Sequence, residues 1–201
     1  MTNKDSNNKD QVDIKEKGYI GERLFAKWLN KKDIPYIYVR QEPKTDEQED
    51  SHWPENFSAF LKKTGAKRPD FIVFLAGIGI FAVDVKNKEI TEYNSAESVT
   101  LSESELIRAQ RFSEITRLNL WYAYAGKHDN DHCDKWYFIH NNDVQRKGNL
   151  DKSNIFFNIK LEETFCANDD NTIGDLVMYA KESTIDRLKY EQLTKKETTH
   201  D

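Results

Sequence analysis

The alternation of apolar and polar positions along the chain predicts an ordered series of helices and strands. In KEKGYIGERLFAKWLNKKD the apolar side chains recur at helical spacing, and these are Ile20, Leu24, Phe25, Trp28 and Leu29. This spacing predicts an amphipathic helix from Lys15 to about Asn30. The short strand IPYIYVR follows it. The apolar runs DFIVFLA and GIFAVDVK are separated by Gly77 and Gly79, which predicts a β-hairpin.

The second half of the chain continues the alternation. SESELIRAQRFSEITRLN predicts a helix whose inner face carries Leu106, Ile107, Phe112 and Ile115. LWYAYAG and KWYFIH predict two strands joined by the polar loop KHDNDHCD, and NIFFNIKL predicts another strand. TIGDLVMYAKESTIDRLKYEQL predicts a further helix. The order of these elements indicates an α/β domain with a mixed sheet.

Polar stretches set the expected domain boundaries. Residues 1–13 lack apolar anchors and predict a disordered leader, while 14–182 form a single domain and 183–201 a C-terminal helix with a frayed tail. Residues 41–66 predict a polar insertion with one or two helical turns in PENFSAFLKKTG. We interpret it as an insertion that borders the active site, and a solvated excursion is the alternative.

Composition narrows the class of protein. The chain of 201 residues is 37% hydrophobic and 32% charged, without a run near the roughly 18 apolar residues of a membrane span or the apolar segment of a signal peptide. Its two cysteines cannot make a disulfide framework, so we expect a reduced cytoplasmic protein. The net charge of −5 argues against a broad basic surface for nucleic acid but leaves a local phosphate site open.

Three ionisable residues at the ends of the hairpin strands are the candidate catalytic and metal-binding residues. Asp84 and Lys86 are two positions apart on one strand, so they share a face. Asp70 joins that face if the hairpin loop is odd in length, such as 76–78 or 77–79. Carboxylates of this kind bind Mg²⁺ or Mn²⁺, and a lysine can orient water and stabilise charge on a phosphate. The alternatives are a turn residue at Asp70 and a structural salt bridge from Asp84 to Lys86 or Lys88.

Arg68-Pro69-Asp70, followed after thirteen residues by Asp84-Val85-Lys86, resembles the motif of the PD-(D/E)xK nucleases. The resemblance spans residues 15–125 and implies a restriction-endonuclease-like α/β core. That core is a mixed central β-sheet flanked by helices, in the order helix, three strands, helix, strand. It also implies that Asp70, Asp84 and the carbonyl of Val85 bind the metal and that Lys86 is the catalytic lysine.

The resemblance extends to two further positions. GYIGE supplies Gly18 and Glu22 in the setting of a helical glutamate that many members use at the metal, although an exposed surface glutamate is the alternative. Gln110 is an accessory candidate on the helix after the lysine. The QxxxY pattern of some members is absent, because Glu114 occupies the tyrosine position.

Basic residues close to the motif are candidates for phosphate contacts, and solvated surface charges are the alternative for each. They are Lys67, Arg68, Lys88, Arg108 and Arg111. The histidines of HDNDHCD lack a partner pair for zinc, so we expect a solvated loop there.

The sequence thus predicts a Mg²⁺-dependent (or Mn²⁺-dependent) nuclease. DNA is the expected substrate because most of the resembled family acts on it. A structure-selective junction resolvase and a non-catalytic nucleic-acid-binding module on the same fold are the alternatives. Cleavage of both strands would favour a homodimer, and no membrane partner is expected.

Overall fold

The computed structural model describes residues 5–39, 55–77, 79–129, 131–151, 153 and 155–168. The helices are α1 (Asp5–Lys31), α2 (Glu55–Thr64), α3 (Glu103–Thr116) and α4 (Asn141–Lys147), with a short 3-10 helix at Leu161–Glu163. The strands are β1 (Tyr36–Tyr38), β2 (Phe71–Leu75), β3 (Gly79–Lys86), β4 (Thr91–Tyr93), β5 (Ala96–Ser102), β6 (Leu120–Ala125), β7 (Lys135–His140), β8 (Asn149–Leu150), β9 (Phe156–Lys160) and β10 (Phe165–Asn168).

The central sheet is mixed and has the strand order β1-β2-β3-β6-β7-β10. β3 and β6 are parallel, because α3 crosses from one to the other, whereas the remaining neighbours are antiparallel. This is the predicted α/β fold class. The core order of a helix, three strands, a helix and a strand is found in α1, β1, β2, β3, α3 and β6.

Each face of this sheet packs against a helix. On one face Leu24, Phe25 and Trp28 of α1 join a core with Phe71 and Val83. On the other face α3 contributes Leu106, Ala109 and Phe112 to a second core with Tyr122. Burial of apolar surface on both faces fixes the hairpin β2–β3 between two helices.

The hairpin register agrees with the predicted odd-length loop. Phe71 pairs with Val83 and Leu75 pairs with Gly79, so three residues connect the two strands. The ladder begins at the pair Phe71 and Val83, and the backbone N–H of Asp70 donates to the carbonyl of Val83. Asp70 therefore lies just outside the regular register, and its place on the same face as Asp84 stays a prediction.

The first and third helices differ in detail from the predictions. α1 begins at Asp5, well before Lys15, and so includes residues assigned to the disordered leader. Because no Pro or Gly precedes Gly18, helical hydrogen bonding can continue through these polar residues. In α3 the inner face includes Leu106 and Phe112, but Ile107 and Ile115 are 40% and 39% exposed. The expected inner positions of these two isoleucines were wrong, because the spacing of three to four residues aligns Ala109 with the buried pair.

A second sheet, with the order β4-β5-β9-β8, was not predicted. Its hairpin β4–β5 turns at Asn94 and Ser95, whose φ values of 50° and 61° are those of a tight two-residue turn. The predicted strand NIFFNIKL is present as β9, but it pairs with β5 rather than with the central sheet. Charged residues interrupt the alternation over residues 89–98, which hid the hairpin.

Other predicted segments have mixed outcomes. α2 is longer than the one or two turns expected within 41–66. The predicted helix 172–193, and with it the tail assigned to 183–201, lies outside the described residues. No helix in the part of the chain that the structure describes is long and apolar enough to cross a membrane.

Candidate active site

The open end of the hairpin β2–β3 brings the two predicted aspartates together. Asp70 precedes β2, and its backbone N–H donates to the carbonyl of Val83 at 2.9 Å. Its carboxylate Oδ2 accepts a hydrogen bond of 2.7 Å from the backbone N–H of Val85. The side chain of Asp70 is thereby held against β3 between the positions of Asp84 and Lys86.

Asp84 lies at the centre of a group of ion pairs. Its side chain is 3% exposed, with Oδ2 2.9 Å from Nζ of Lys86. Its Oδ1 lies 3.1 Å from Nζ of Lys67, which enters from the segment before β2. A carboxylate this deeply buried needs such cationic partners. The salt bridge between Asp84 and Lys86 that the sequence left open as an alternative is therefore present.

Lys86 remains a charged ammonium in this setting. Burial opposes its charge, but the adjacent carboxylates of Asp84 and Glu105 outweigh burial and raise the pKa of Lys86 above its ordinary value. A charged lysine beside carboxylates agrees with the role expected of it.

Glu22 on α1 approaches the same end of the hairpin. The helix comes close to β3 at Gly21, where an added Cβ would lie 2.7 Å from Cβ of Asn87. Glu22 is 7% exposed, and its Oε2 accepts a hydrogen bond of 2.5 Å from the hydroxyl of Tyr38 on β1. The surface alternative for Glu22 is thus excluded.

The negative charges of Asp84 and Glu22 both act on Asp70. Desolvation, followed by the negative charges of Asp84 and Glu22, raises the pKa of Asp70 well above its ordinary value of 3.8. The hydrogen bond from Val85 and the charge of Lys67 oppose this shift without cancelling it. Asp70 therefore experiences strong negative potential from its neighbours.

Glu105, at the start of α3, is a site residue that the sequence analysis missed. Its carboxylate forms a close ion pair with Lys86 and lies 3.5 Å from Nζ of Lys67 and 3.7 Å from Nζ of Lys88. Burial works against its ionisation, but Lys86 and the other two lysines lower the pKa of Glu105 to about 2. The only local signal was the spacing from Ser102 to Glu105, which is typical of a helix capping box.

The predicted basic residues occupy different positions around the site. Lys67 lies inside it, and Lys88 donates to the carbonyl of Thr100 at 3.2 Å near its border. Arg108 and Arg111 are exposed on α3, and the carbonyl of Arg108 accepts a hydrogen bond of 2.8 Å from the backbone of Lys67. Arg68 is half-buried beside Lys67. Their contacts with nucleic acid stay predictions.

Gln110 lies away from Glu105 on α3. The two residues are five positions apart, which at about 100° per residue turns them roughly 140° from each other around the helix axis. An accessory role for Gln110 at the same cluster therefore stays a prediction, and the geometry of the helix does not favour it.

The carboxylates expected to bind a metal ion have other partners: Asp84 pairs with Lys67 and Lys86, Asp70 accepts from Val85, and Glu22 accepts from Tyr38. Among the described residues, no group of three or more His, Cys, Asp or Glu side chains is arranged to hold a metal ion. The chemistry of the donors nevertheless fits a hard divalent cation, because Asp70 lies in the negative potential of Asp84 and Glu22. Binding would require Asp84 to exchange at least one ammonium partner for the cation.

In the connection between β6 and β7, His128, Asp129, Asp131, His132 and Asp134 are exposed, as expected, whereas Cys133 is buried in the core. Nε2 of His132 is 2.6 Å from Asp134, and Nε2 of His128 is 2.6 Å from the side-chain oxygen of Asn87. The two histidines thus have separate partners rather than a common ligand.

Comparison with known proteins finds similarity at the level of structure and not of sequence. No protein-family model and no curated protein sequence matches the chain. Among solved structures, Hjc of Archaeoglobus fulgidus, a Holliday junction resolvase from an archaeal hyperthermophile, is similar with a TM-score of 0.44 and 15% identity. The match covers 71% of this chain and 88% of Hjc. The fold class rests on the sheet order and helix packing described above.

Proposed function

We propose that this protein is a metal-dependent nuclease that hydrolyses phosphodiester bonds, with DNA as its substrate. The observation that carries the proposal is the convergence of Asp70, Asp84 and Lys86 at one end of the hairpin. Lys86 lies 2.9 Å from Asp84, and the carboxylate of Asp70 accepts a hydrogen bond from the backbone N–H of Val85, the residue between them. Glu22 on α1 adds a third carboxylate to the same electrostatic environment.

Asp70, Asp84 and Glu22, with the carbonyl of Val85, would hold Mg²⁺ or Mn²⁺. When bound, the ion supplies a Lewis acid that polarises the scissile phosphate and makes bound water more acidic. Acidic side chains that repel one another, as Asp70 and its neighbours do, are stabilised by a divalent cation.

Lys86 carries the main contribution of the chain itself to catalysis. Its ammonium donates a hydrogen bond to the water that attacks phosphorus and fixes the direction of attack. The same positive charge stabilises the negative charge that grows on the phosphate oxygens in the transition state. The attacking water forms the new bond to phosphorus and loses a proton to solvent, while the bond from phosphorus to the leaving oxygen breaks and that oxygen takes up a proton from solvent.

The basic residues around the site supply the binding of substrate. Lys88 lies just after the end of β3, and Arg108 and Arg111 lie on α3. From these positions they can contact the phosphates on either side of the bond that is cut. Such contacts position the nucleic acid without reading its sequence. The cytoplasmic location and the homodimer expected from the sequence remain predictions.

The first experiment measures cleavage of linear, circular, branched and single-stranded DNA, with RNA alongside, in Mg²⁺, in Mn²⁺ and in EDTA. We expect metal-dependent cleavage by the wild type and none by Asp84→Asn. Lys86→Ala should lower the single-turnover rate by about 100-fold or more, because it removes transition-state stabilisation. Calorimetric titration with Mg²⁺ should show binding that Lys86→Ala retains and Asp84→Asn weakens.

Each result separates the proposal from its alternatives. Cleavage restricted to the branched substrate would identify a junction resolvase. Binding of DNA without cleavage or metal binding would identify a non-catalytic module and refute the nuclease. A normal cleavage rate in Lys86→Ala together with weaker DNA binding would show that Lys86 contributes to substrate binding and not to the chemical step.

A further inference from the structure

Lys86 has two carboxylate partners that come from different parts of the fold. Asp84 is on its own strand, two residues away, and is also the central expected metal ligand. Glu105 is on the first turn of α3 and forms the closer ion pair with Lys86. The lysine is therefore held from the side of the helix as well as from its own strand.

The carboxylate of Glu105 is itself fixed in place. Its Oε2 accepts a hydrogen bond of 3.2 Å from the hydroxyl of Ser102, whose oxygen in turn accepts one of 3.3 Å from the backbone N–H of Glu105. The hydroxyl of Tyr122 donates to the carbonyl of Glu105 at 3.4 Å. These contacts tie the first turn of α3 to β5 and β6, so Oε1 of Glu105 points towards Lys86 from a rigid base.

Charge balance gives Glu105 a second effect. Asp84 faces two ammonium groups, those of Lys67 and Lys86, each within 3.1 Å of one of its oxygens. Glu105 is shared by the same two lysines. An alternative anion for both lysines lowers the electrostatic cost of withdrawing Asp84 from them.

We propose that Glu105 is the positioning residue for Lys86, holding its ammonium at the end of β3 independently of Asp84. Asp84 can then coordinate a cation while the lysine stays beside the reacting phosphate. This inference rests on the proposed function for its catalytic consequence, but the geometry that it asserts can be measured in the metal-free protein.

The primary test observes the Lys86 ammonium by ¹H–¹⁵N NMR in EDTA, with the signal assigned from its loss in Lys86→Arg. An ammonium held in a buried ion pair exchanges slowly enough with water to be detected. The signal should be present in the wild type, persist in Asp84→Asn and disappear in Glu105→Gln. Glutamine preserves the capping box, so α3 should remain folded, which circular dichroism checks.

Glu103→Gln is the matched control, because it removes the same charge from the same helical turn at an exposed position. It should leave the Lys86 signal unchanged. Absence of the signal from the wild type, its loss in Asp84→Asn or its survival in Glu105→Gln would overturn the proposal.

The second test measures single-turnover cleavage and DNA affinity separately. Glu105→Gln should lower the rate by about 10–100-fold while the Kd for DNA changes little, and Glu105→Asp should recover part of the rate. A rate equal to that of Glu103→Gln would overturn the proposal. If the wild type cleaves no substrate, the proposed function fails, and the NMR experiment still decides whether Glu105 holds Lys86.

Discussion

The α1 side and the α3 side of the site balance charge in different ways. We define the α1 side by Glu22, Tyr38 and Asp70, and the α3 side by Lys67, Asp84, Lys86 and Glu105. On the α3 side each carboxylate is close to at least two ammonium groups. On the α1 side the Tyr38 hydroxyl donates a hydrogen bond to Glu22, and the Val85 backbone donates one to Asp70.

The pKa values of Asp70 and Glu105 shift in opposite directions. The pKa of Asp70 is raised, by desolvation and then by its acidic neighbours, whereas the lysines around Glu105 overcome its burial and lower its pKa to about 2. Ionisation of Glu105 thus stabilises the metal-free fold, whereas ionisation of Asp70 opposes it. A cation beside Asp70 would relieve that repulsion, which supports the metal binding proposed for this end of the hairpin.

The same substitution at the two aspartates should therefore change stability in opposite directions. In EDTA at neutral pH, Asp84→Asn should lower the free energy of unfolding by about 1–3 kcal/mol, because two buried ammonium groups lose a charged partner. Asp70→Asn should raise it by about 1 kcal/mol, since the amide oxygen can still accept from Val85 without the charge.

Chemical denaturation of both variants beside the wild type measures this contrast. Both variants should lose cleavage, so activity is a poor guide here and stability is the informative quantity. Destabilisation by Asp70→Asn as large as that by Asp84→Asn would show that the two sides of the site are electrostatically equivalent.

The pH dependence of stability should separate the two sides again. A raised pKa in the folded state means that Asp70 favours folding most below 3.8 and that this contribution is lost as pH rises towards the folded value. The stability of the wild type relative to Asp70→Asn should therefore fall as pH increases through this range.

Glu105 should show the opposite dependence. Its pKa is lowered from 4.5 to about 2, so its stabilising contribution is present above 4.5 and lost as pH falls towards about 2. Glu105→Gln should remove that part of the acid sensitivity, and denaturation curves between pH 2 and pH 6 check it. If stability depended on acid pH in this variant as it does in the wild type, the lysines would not be lowering the pKa of Glu105.

The smallest expected effect concerns how closely α1 approaches the hairpin. Gly21→Ala should lower the cleavage rate severalfold, because the new Cβ meets Asn87 at 2.7 Å and moves Glu22 away from Asp70. Gly18→Ala is the control on the same helix, since a Cβ there has no neighbour within 4 Å. It should leave the rate unchanged and gain up to about 1 kcal/mol from helix propensity. Equal cleavage rates in the two variants would mean that the distance between α1 and the hairpin does not determine the geometry of the site.

Local patterns were sufficient for much of the fold. The hairpin β2–β3 and the strands β6 and β7 follow from continuous apolar runs and glycine position, because strands buried on both faces are apolar throughout. The helix α3 follows from apolar residues at helical spacing. The hairpin β4–β5 was not visible, since charged residues interrupt its alternation and its pairing with β9 joins distant parts of the chain. Helix limits in α1 were likewise poorly specified where no apolar face marks them.

The sequence by itself determined that Asp84 and Lys86 share one face of a strand, because side chains two residues apart project to the same side. The resemblance to a nuclease motif marked Asp70 and Glu22, whose roles stay predictions. Only the tertiary structure decided that Glu105 and Lys67 complete the group, since α3 and the segment before β2 reach Asp84 and Lys86 by packing on the sheet. Charge partners that are distant in sequence leave no periodic pattern, because their pairing depends on how helices and strands pack and not on local spacing.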